Sequence, residues 1–218
     1  MPSPSQTTSL PEVEPRTTIA DRAAAAKKSG ISDVTFATAG VTYPIEPTGL
    51  RHAIVDFTVI VGVPVAKQTV VQNGTDISTW YTIDTKEVIA DRPCKMCALL
   101  SADNIPSTLR PTTLLPIPPH SILLSRRGGS TKVDGVTVTE TENGISALTI
   151  GTQYLFVVDK SPNGMARLVL NDAGIYTLAP EGQALTPLAV AAGTASVGTK
   201  AGAFPSLAQL RQSAQAGK

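Results

Sequence analysis

A chain of 218 residues is long enough for one β domain with extensions or for two small domains. Its 18 Lys and Arg balance 17 Asp and Glu to a net charge of +1, so no global field draws it to phosphate or to an anionic membrane surface. Hydrophobic residues make up 42%, aromatics only 4%, and Gly and Pro appear 17 times each, which predicts many turns, few long helices and a core of Val, Ile, Leu and Ala, with no unbroken apolar run near the roughly 18 residues of a spanning helix.

Residues 1–16 are rich in Pro, Ser and Thr without any period and read as a flexible arm. Thr17 and Thr18 then precede an alanine run (Ala23 to Ala26), with Lys27 and Lys28 before Gly30. Cap, alanines, terminal lysines and glycine stop predict a short helix. Its apolar face is thin, so weak docking, or docking on a partner only, is expected. The whole of 1–48 is assigned as a flexible arm with this helix.

From about Ile31 the period changes to two, and a β-barrel domain is assigned to 49–180. Phe57 to Val61 form a strand apolar on both faces, interrupted at Gly62 and Pro64 and resumed over Lys67 to Val71. Asn73-Gly74 marks a hairpin, because both residues tolerate positive φ; Thr79 to Thr85 return, running on to Val88-Ile89. Residues 91–119 read as a long Pro-rich connection, either functional or wrapped over the domain. Further strands are predicted at Ser121 to Ser125, Val133 to Thr141, Ile145 to Leu148, Gln153 to Val158, Met165 to Leu170 and Gly174 to Leu178, separated by turn signals that include Gly128-Gly129 and Asn143-Gly144. Residues 181–218 are a linker or weak strand followed by a C-terminal helix, opened by capping-box spacing from Ser206 to Gln209, with Leu207 and Leu210 placed to dock it. The fold class is mainly β: a single antiparallel OB-like barrel or sandwich with short terminal helices.

Chemistry-bearing patterns are sparse. The two histidines, His52 and His120, have no flanking nucleophile or acid pattern, and read as surface imidazoles rather than catalytic bases. Cys94-Lys95-Met96-Cys97 has the spacing of a local disulfide, a half zinc site or a redox dithiol. Without a second Cys pair or a βαβ pattern the disulfide ranks first, free thiols second, metal third and redox catalysis last. Arg126, Arg127, Gly128, Gly129 and Lys132 form the basic turn of the chain. Glycine-turn amides beside arginines can hold an anion, against the plainer reading of a solvated hairpin. A single-strand binder also needs stacking rings; Trp80 and Tyr81, adjacent on one strand, can offer at most one. The scattered carboxylates form no calcium ladder and no acid/base pair, and no P-loop or dinucleotide fingerprint occurs. No catalytic residue, metal or cofactor is assigned.

Three groups of residues carry a resemblance. They are Val59-Ile60-Val61-Gly62 followed by Thr79 to Ile83 and Glu87-Val88-Ile89; Arg127-Gly128-Gly129 with Asp134-Gly135-Val136; and Gly151 with Tyr154-Leu155-Phe156. With these the segment from Val55 to Leu178 resembles a widespread group of uncharacterised bacterial exported proteins with a small OB-like barrel. The resemblance implies a fold and no activity, since such barrels host many functions.

The expected function is therefore a non-enzymatic structural or binding module that self-associates or binds a protein partner through its arm and long loop. The alternative is an anion or single-stranded nucleic-acid binder using the Arg126-Arg127 turn, which the near-zero charge disfavours. Met1 to Ser5 lack the regions of a secretory signal. The Ser/Thr/Ala/Val-rich composition nonetheless favours a periplasmic or secreted protein with its leader removed over a cytoplasmic one.

Overall fold

The structure, a computed structural model, describes residues 17–38, 50–97, 116–142, 147–169, 174–178, 185–188 and 206–216. The expected arm over 1–16, the Asn143-Gly144 turn, the middle of the Pro-rich connection and most of the Ala/Gly-rich linker lie outside these residues.

Helix α1 (Ile19–Lys28) starts where the threonines place it. The Thr18 hydroxyl accepts from the Asp21 amide at 3.0 Å, and the Asp21 carboxylate accepts from the Thr18 amide at 3.3 Å, satisfying two otherwise orphaned donors. Gly30, at φ +70°, ends it. Its thin apolar face is enough for docking within the chain: Ile19, Ala23 and Ala26 pack against Ile77, Val136 and Val138. The alternative of docking on a partner only is corrected: three slim side chains on one face let the helix approach a sheet of its own chain closely.

The region assigned to the arm also contains a strand. β1 (Asp33–Thr38) pairs in parallel with β6 (Val136–Glu142), which pairs antiparallel with β5 (Gly129–Val133). This three-stranded sheet is separate from the larger one. Val133 to Thr141, read as one strand, is instead a hairpin broken at Asp134-Gly135, whose φ values of +48° and +89° are those the tight turn requires.

A second unforeseen element is α2 (Leu50–Asp56), which buries Leu50, Ala53 and Ile54. The i, i+3, i+4 spacing, continued by Phe57, is helical. The strand signal from Phe57 onward masked it.

The larger sheet is built on β2 (Thr58–Gln72) and β3 (Asp76–Ala90), joined through Asn73 and Gly74 at φ +51° and +73°. Gly62 and Pro64 do not interrupt β2. They mark register shifts at Val61/Gly62 and Pro64/Ala66, where an extra residue bends the strand. Gly62 is needed for close approach: a Cβ there would stand 2.5 Å from Ile83 Cγ2 and 3.1 Å from the Asp84 carbonyl oxygen.

Beyond β3 lie β4 (Ser121–Arg127) and β8 (Met165–Leu168); beyond β2 lie β7 (Tyr154–Lys160), β9 (Ile175–Leu178) and β10 (Leu185–Pro187), giving seven strands in the order β10-β9-β7-β2-β3-β4-β8. β4 and β8 run parallel, and β7 also pairs with β8. The protein is thus mainly β, with two sheets and short helices. The expectation of purely antiparallel pairing is corrected by the two parallel pairings, β1 with β6 and β4 with β8. Ala147 and Leu148, expected in a strand, are in irregular backbone, from which Leu148 reaches the core.

Both faces of β2 are buried over Thr58 to Gly62, as its unbroken apolar run predicts. Ile60 joins Tyr81, Ile83, Leu124, Phe156 and Val158 on one face. Val59 and Val61 face the other way, onto α2 and the C-terminal helix α3 (Leu207–Ala216), where Leu207, Leu210 and Ala214 are buried. Ser206 caps α3 by accepting from the Gln209 amide at 3.2 Å. The helix is also held by Arg211, whose guanidinium grips both carboxylate oxygens of Glu87 at 2.7 and 2.6 Å.

That hydrogen bonding holds the Glu87 carboxyl below its ordinary range, against a smaller opposing push from burial. A depressed folded-state value means that the pair stabilises the fold above the ordinary glutamate range and stops doing so as pH falls through the folded value. Both side chains are about half or one-third exposed, so the contribution is about 0.5 kcal/mol. Unfolding free energies of wild type and Glu87→Gln from urea titration should differ by that amount at neutral pH and converge at low pH. A difference that persisted in acid would count against the pairing.

Candidate functional site

Two features gather the polar residues of interest. The first is the junction of the two sheets. β4 leaves the large sheet and enters the small one through Gly128, at φ +87°, and Gly129, at φ +137°. The basic segment is therefore a crossover between sheets rather than a hairpin tip. Gly129 lies against β2 and β3 so closely that a Cβ would stand 2.3 Å from Thr79 Oγ1. The Thr79 hydroxyl donates to the Gly128 carbonyl at 2.7 Å, and Thr69 and Thr79 hydroxyls meet at 3.1 Å.

Arg127 is committed to structure. Its Nε donates to Glu140 at 3.0 Å and its terminal nitrogen to Asp76. Glu140 is 2% exposed and also accepts from the backbone amide of Ile77. One carboxylate on β6 thereby ties the small sheet to β3 and β4 of the large one. Burial pulls the Arg127 guanidinium down, but the two carboxylates outweigh it and hold it above its ordinary range.

Arg126, next along the chain, points to the opposite face. It is 6% exposed and borders a cavity of about 360 Å³ between the sheets, with Lys67, Thr69, Thr79, Ser130 and Thr139. Lys132, also assigned to the basic turn, is not on that wall: it is exposed on β5 near Asp33. Of the expected anion-site residues, the structure brings Arg126, Arg127, Gly128 and Gly129 to one cavity, pairs the Arg127 guanidinium with Glu140 and Asp76 at the sheet junction, and leaves Lys132 apart. Lys67, Thr69, Thr79, Ser130 and Thr139 were not foreseen. Only strand register, which aligns Lys67 with Tyr81 and Thr69 with Thr79, reveals them.

The second feature is the turn after β3. Cys94 and Cys97 are joined by a disulfide with Cα atoms 5.6 Å apart. Beneath it lies Asp159 of β7, 2% exposed, whose carboxylate oxygens accept from the Lys95 and Met96 amides at 2.9 Å each. Arg92 Nε donates to the Ile54 and Val55 carbonyls at 3.2 and 2.9 Å, capping the C-terminus of α2. Lys95 Nζ reaches Asp56 at 2.6 Å. Cys94 and Ile117, near the two ends of the Pro-rich connection, pack on Trp80, Val70, Leu123 and Met165. The described ends of that connection are therefore wrapped over the sheet.

A bridge closing so short a loop removes little unfolded-state entropy, about 2 kcal/mol. Replacing both cysteines by serine should lower stability by no more than that and leave the β circular-dichroism spectrum unchanged, since Asp159 still clamps the turn. Loss of the folded spectrum would show that the bridge does more.

Trp80 is 5% and Tyr81 3% exposed, in clusters on opposite faces of the sheet, so neither offers an open ring to a base. His52 is exposed on α2. His120 holds φ +61° before β4, where its carbonyl accepts from Thr85 at 2.9 Å. Among the described residues no three His, Cys, Asp or Glu are grouped to hold a metal ion, and no helix is long and apolar enough to cross a membrane. No protein-family model matches the sequence, and no curated protein matches it.

Proposed function

We propose that the chain is a non-enzymatic binding or structural module built on an OB-like barrel. The observation that carries this reading is the use made of the buried carboxylates. Glu140 and Asp159 each direct their oxygens at backbone amides, Glu140 with Arg127 in addition. Catalytic acids and bases keep an oxygen for the substrate; in Glu140, which borders the cavity, and in Asp159 both oxygens are engaged by protein donors.

The barrel is supported by the pairing circuit β2–β3–β4–β8–β7 and back to β2, with β4–β8 as its parallel step. A five-stranded Greek-key barrel has this kind of closure. The Cys94–Cys97 bridge supports a periplasmic or secreted setting, where such bonds persist. Self-association through strand addition is supported by β1 and β5, which end the small sheet among the described residues.

Native mass spectrometry with and without reductant tests the reading in one experiment. An oxidised pair, with the protein as a multimer or bound to a polypeptide partner, is the expected result. A reduced monomer carrying a metal ion would overturn it.

A further inference from the structure

We propose that the cavity between the two sheets binds a small oxyanion-bearing molecule, a phosphate or carboxylate on a body of about monosaccharide size. This deepens the binding-module reading by giving it a ligand, and it does not depend on self-association. Strand register sets the faces. Lys67 pairs with Tyr81 and Tyr81 with Leu124, while Thr69 pairs with Thr79 and Thr79 with Arg126. Directly paired residues share a face of a sheet, as do residues two apart. Lys67, Thr69, Thr79 and Arg126 therefore rise from one face, and all four line the cavity. Tyr81, on the same face, also lines the cavity and belongs to the core cluster below, so the cavity has an aromatic floor under a cationic wall.

The opposite wall comes from the small sheet. Ser130 and Thr139 face each other with hydroxyl oxygens 2.8 Å apart. Each hydroxyl carries one hydrogen. Whichever residue donates within the pair, the other has a hydrogen to direct at a ligand. The two cations differ in kind. Arg126 is more than nine-tenths buried, a position where a guanidinium is held in place, whereas Lys67 is exposed at the rim and can close over a bound anion. Glu140 also borders the cavity, but its carboxylate is engaged by Arg127 and the Ile77 amide. A volume of about 360 Å³ is at the small end of ligand sites and exceeds what a lone inorganic ion fills.

Titration calorimetry and amide chemical-shift mapping on the full chain, with glucose 6-phosphate, glucuronate and glucose as probes, test this proposal. The two charged sugars separate a phosphate from a carboxylate preference, and glucose reports on binding without charge. The expected result is that one or both charged sugars bind, glucose does not, Ser130 and Thr139 amides shift, and binding weakens with added salt. Lys67→Ala, at an exposed position, should weaken binding about tenfold, and Arg126→Gln more; Lys132→Ala should leave it unchanged. Absence of binding at about 10 mM of either charged sugar would overturn the proposal. So would binding untouched by Lys67→Ala, or binding confined to a single-stranded oligonucleotide. Failure here would leave the mass-spectrometric result standing, and the reverse holds, so the two readings fail separately.

Discussion

Glu140→Ala lowers the unfolding free energy by about 3–5 kcal/mol, the range for breaking a buried charged pair by removing one partner. Glu140 has no exposed side-chain surface and serves the Ile77 amide and Arg127 together. Its loss leaves a buried amide without an acceptor and a guanidinium with Asp76 alone. Glu140→Gln should cost roughly half as much, because the amide oxygen can still accept from Ile77 while the charge opposite Arg127 is gone. Combining Glu140→Leu with Arg127→Met should cost less than the sum of the two single changes, since neither charge is then stranded. Urea denaturation of the four proteins measures this. Strict additivity would show that the two side chains do not couple and that the small sheet is held by other contacts.

Phe156→Ala should be the second severe change, at about 3–5 kcal/mol. Phe156 is the largest fully buried side chain among the described residues, sits on β7 between β2 and β9, and packs 6.0 Å from the Tyr154 ring. Truncation leaves a ring-sized void among Ile60, Ile83 and Leu124, which belong to closely paired strands that cannot collapse inward. Phe156→Leu keeps most of the volume and should cost less than about 1.5 kcal/mol. A thermal-unfolding series in which both variants fell equally would mean that the loss comes from the strand and not from packing.

How much of this was legible in the sequence differs by element. Thr18, Ala23, Ala26 and Gly30 specified α1 locally, and Asn73-Gly74 specified the β2–β3 hairpin, because caps and positive-φ turns act within four residues. Asp134-Gly135 carries the same turn chemistry, but the alternating residues around it read as one strand. α2 was hidden for a related reason: seven residues give a helical period too short a window beside an apolar strand.

The candidate site was legible only as a basic segment. Arg126 and Arg127 are neighbours in sequence and take opposite faces of β4. Both border the cavity, and Arg127 is in addition tied by Glu140 and Asp76 into the sheet junction. Which arginine is tied depends on Glu140, thirteen residues past Arg127, and on a register that aligns Arg126 with Thr79. Long-range pairing is not encoded in local period, so neither assignment could be made without the fold.

The account depends most on β8, the short strand that joins β4 to β7 and so completes the circuit. Amide hydrogen exchange of residues 165–168, followed by NMR, tests it directly. A strand paired on both sides has its donors engaged toward both neighbours, whereas an edge strand leaves every second amide open to water. We predict that the amides of Ala166, Arg167 and Leu168 exchange as slowly as those of Val59 to Val61, where β2 is paired on both sides. Rapid exchange at alternate positions would contradict the closed circuit, and with it the barrel on which the proposed function rests.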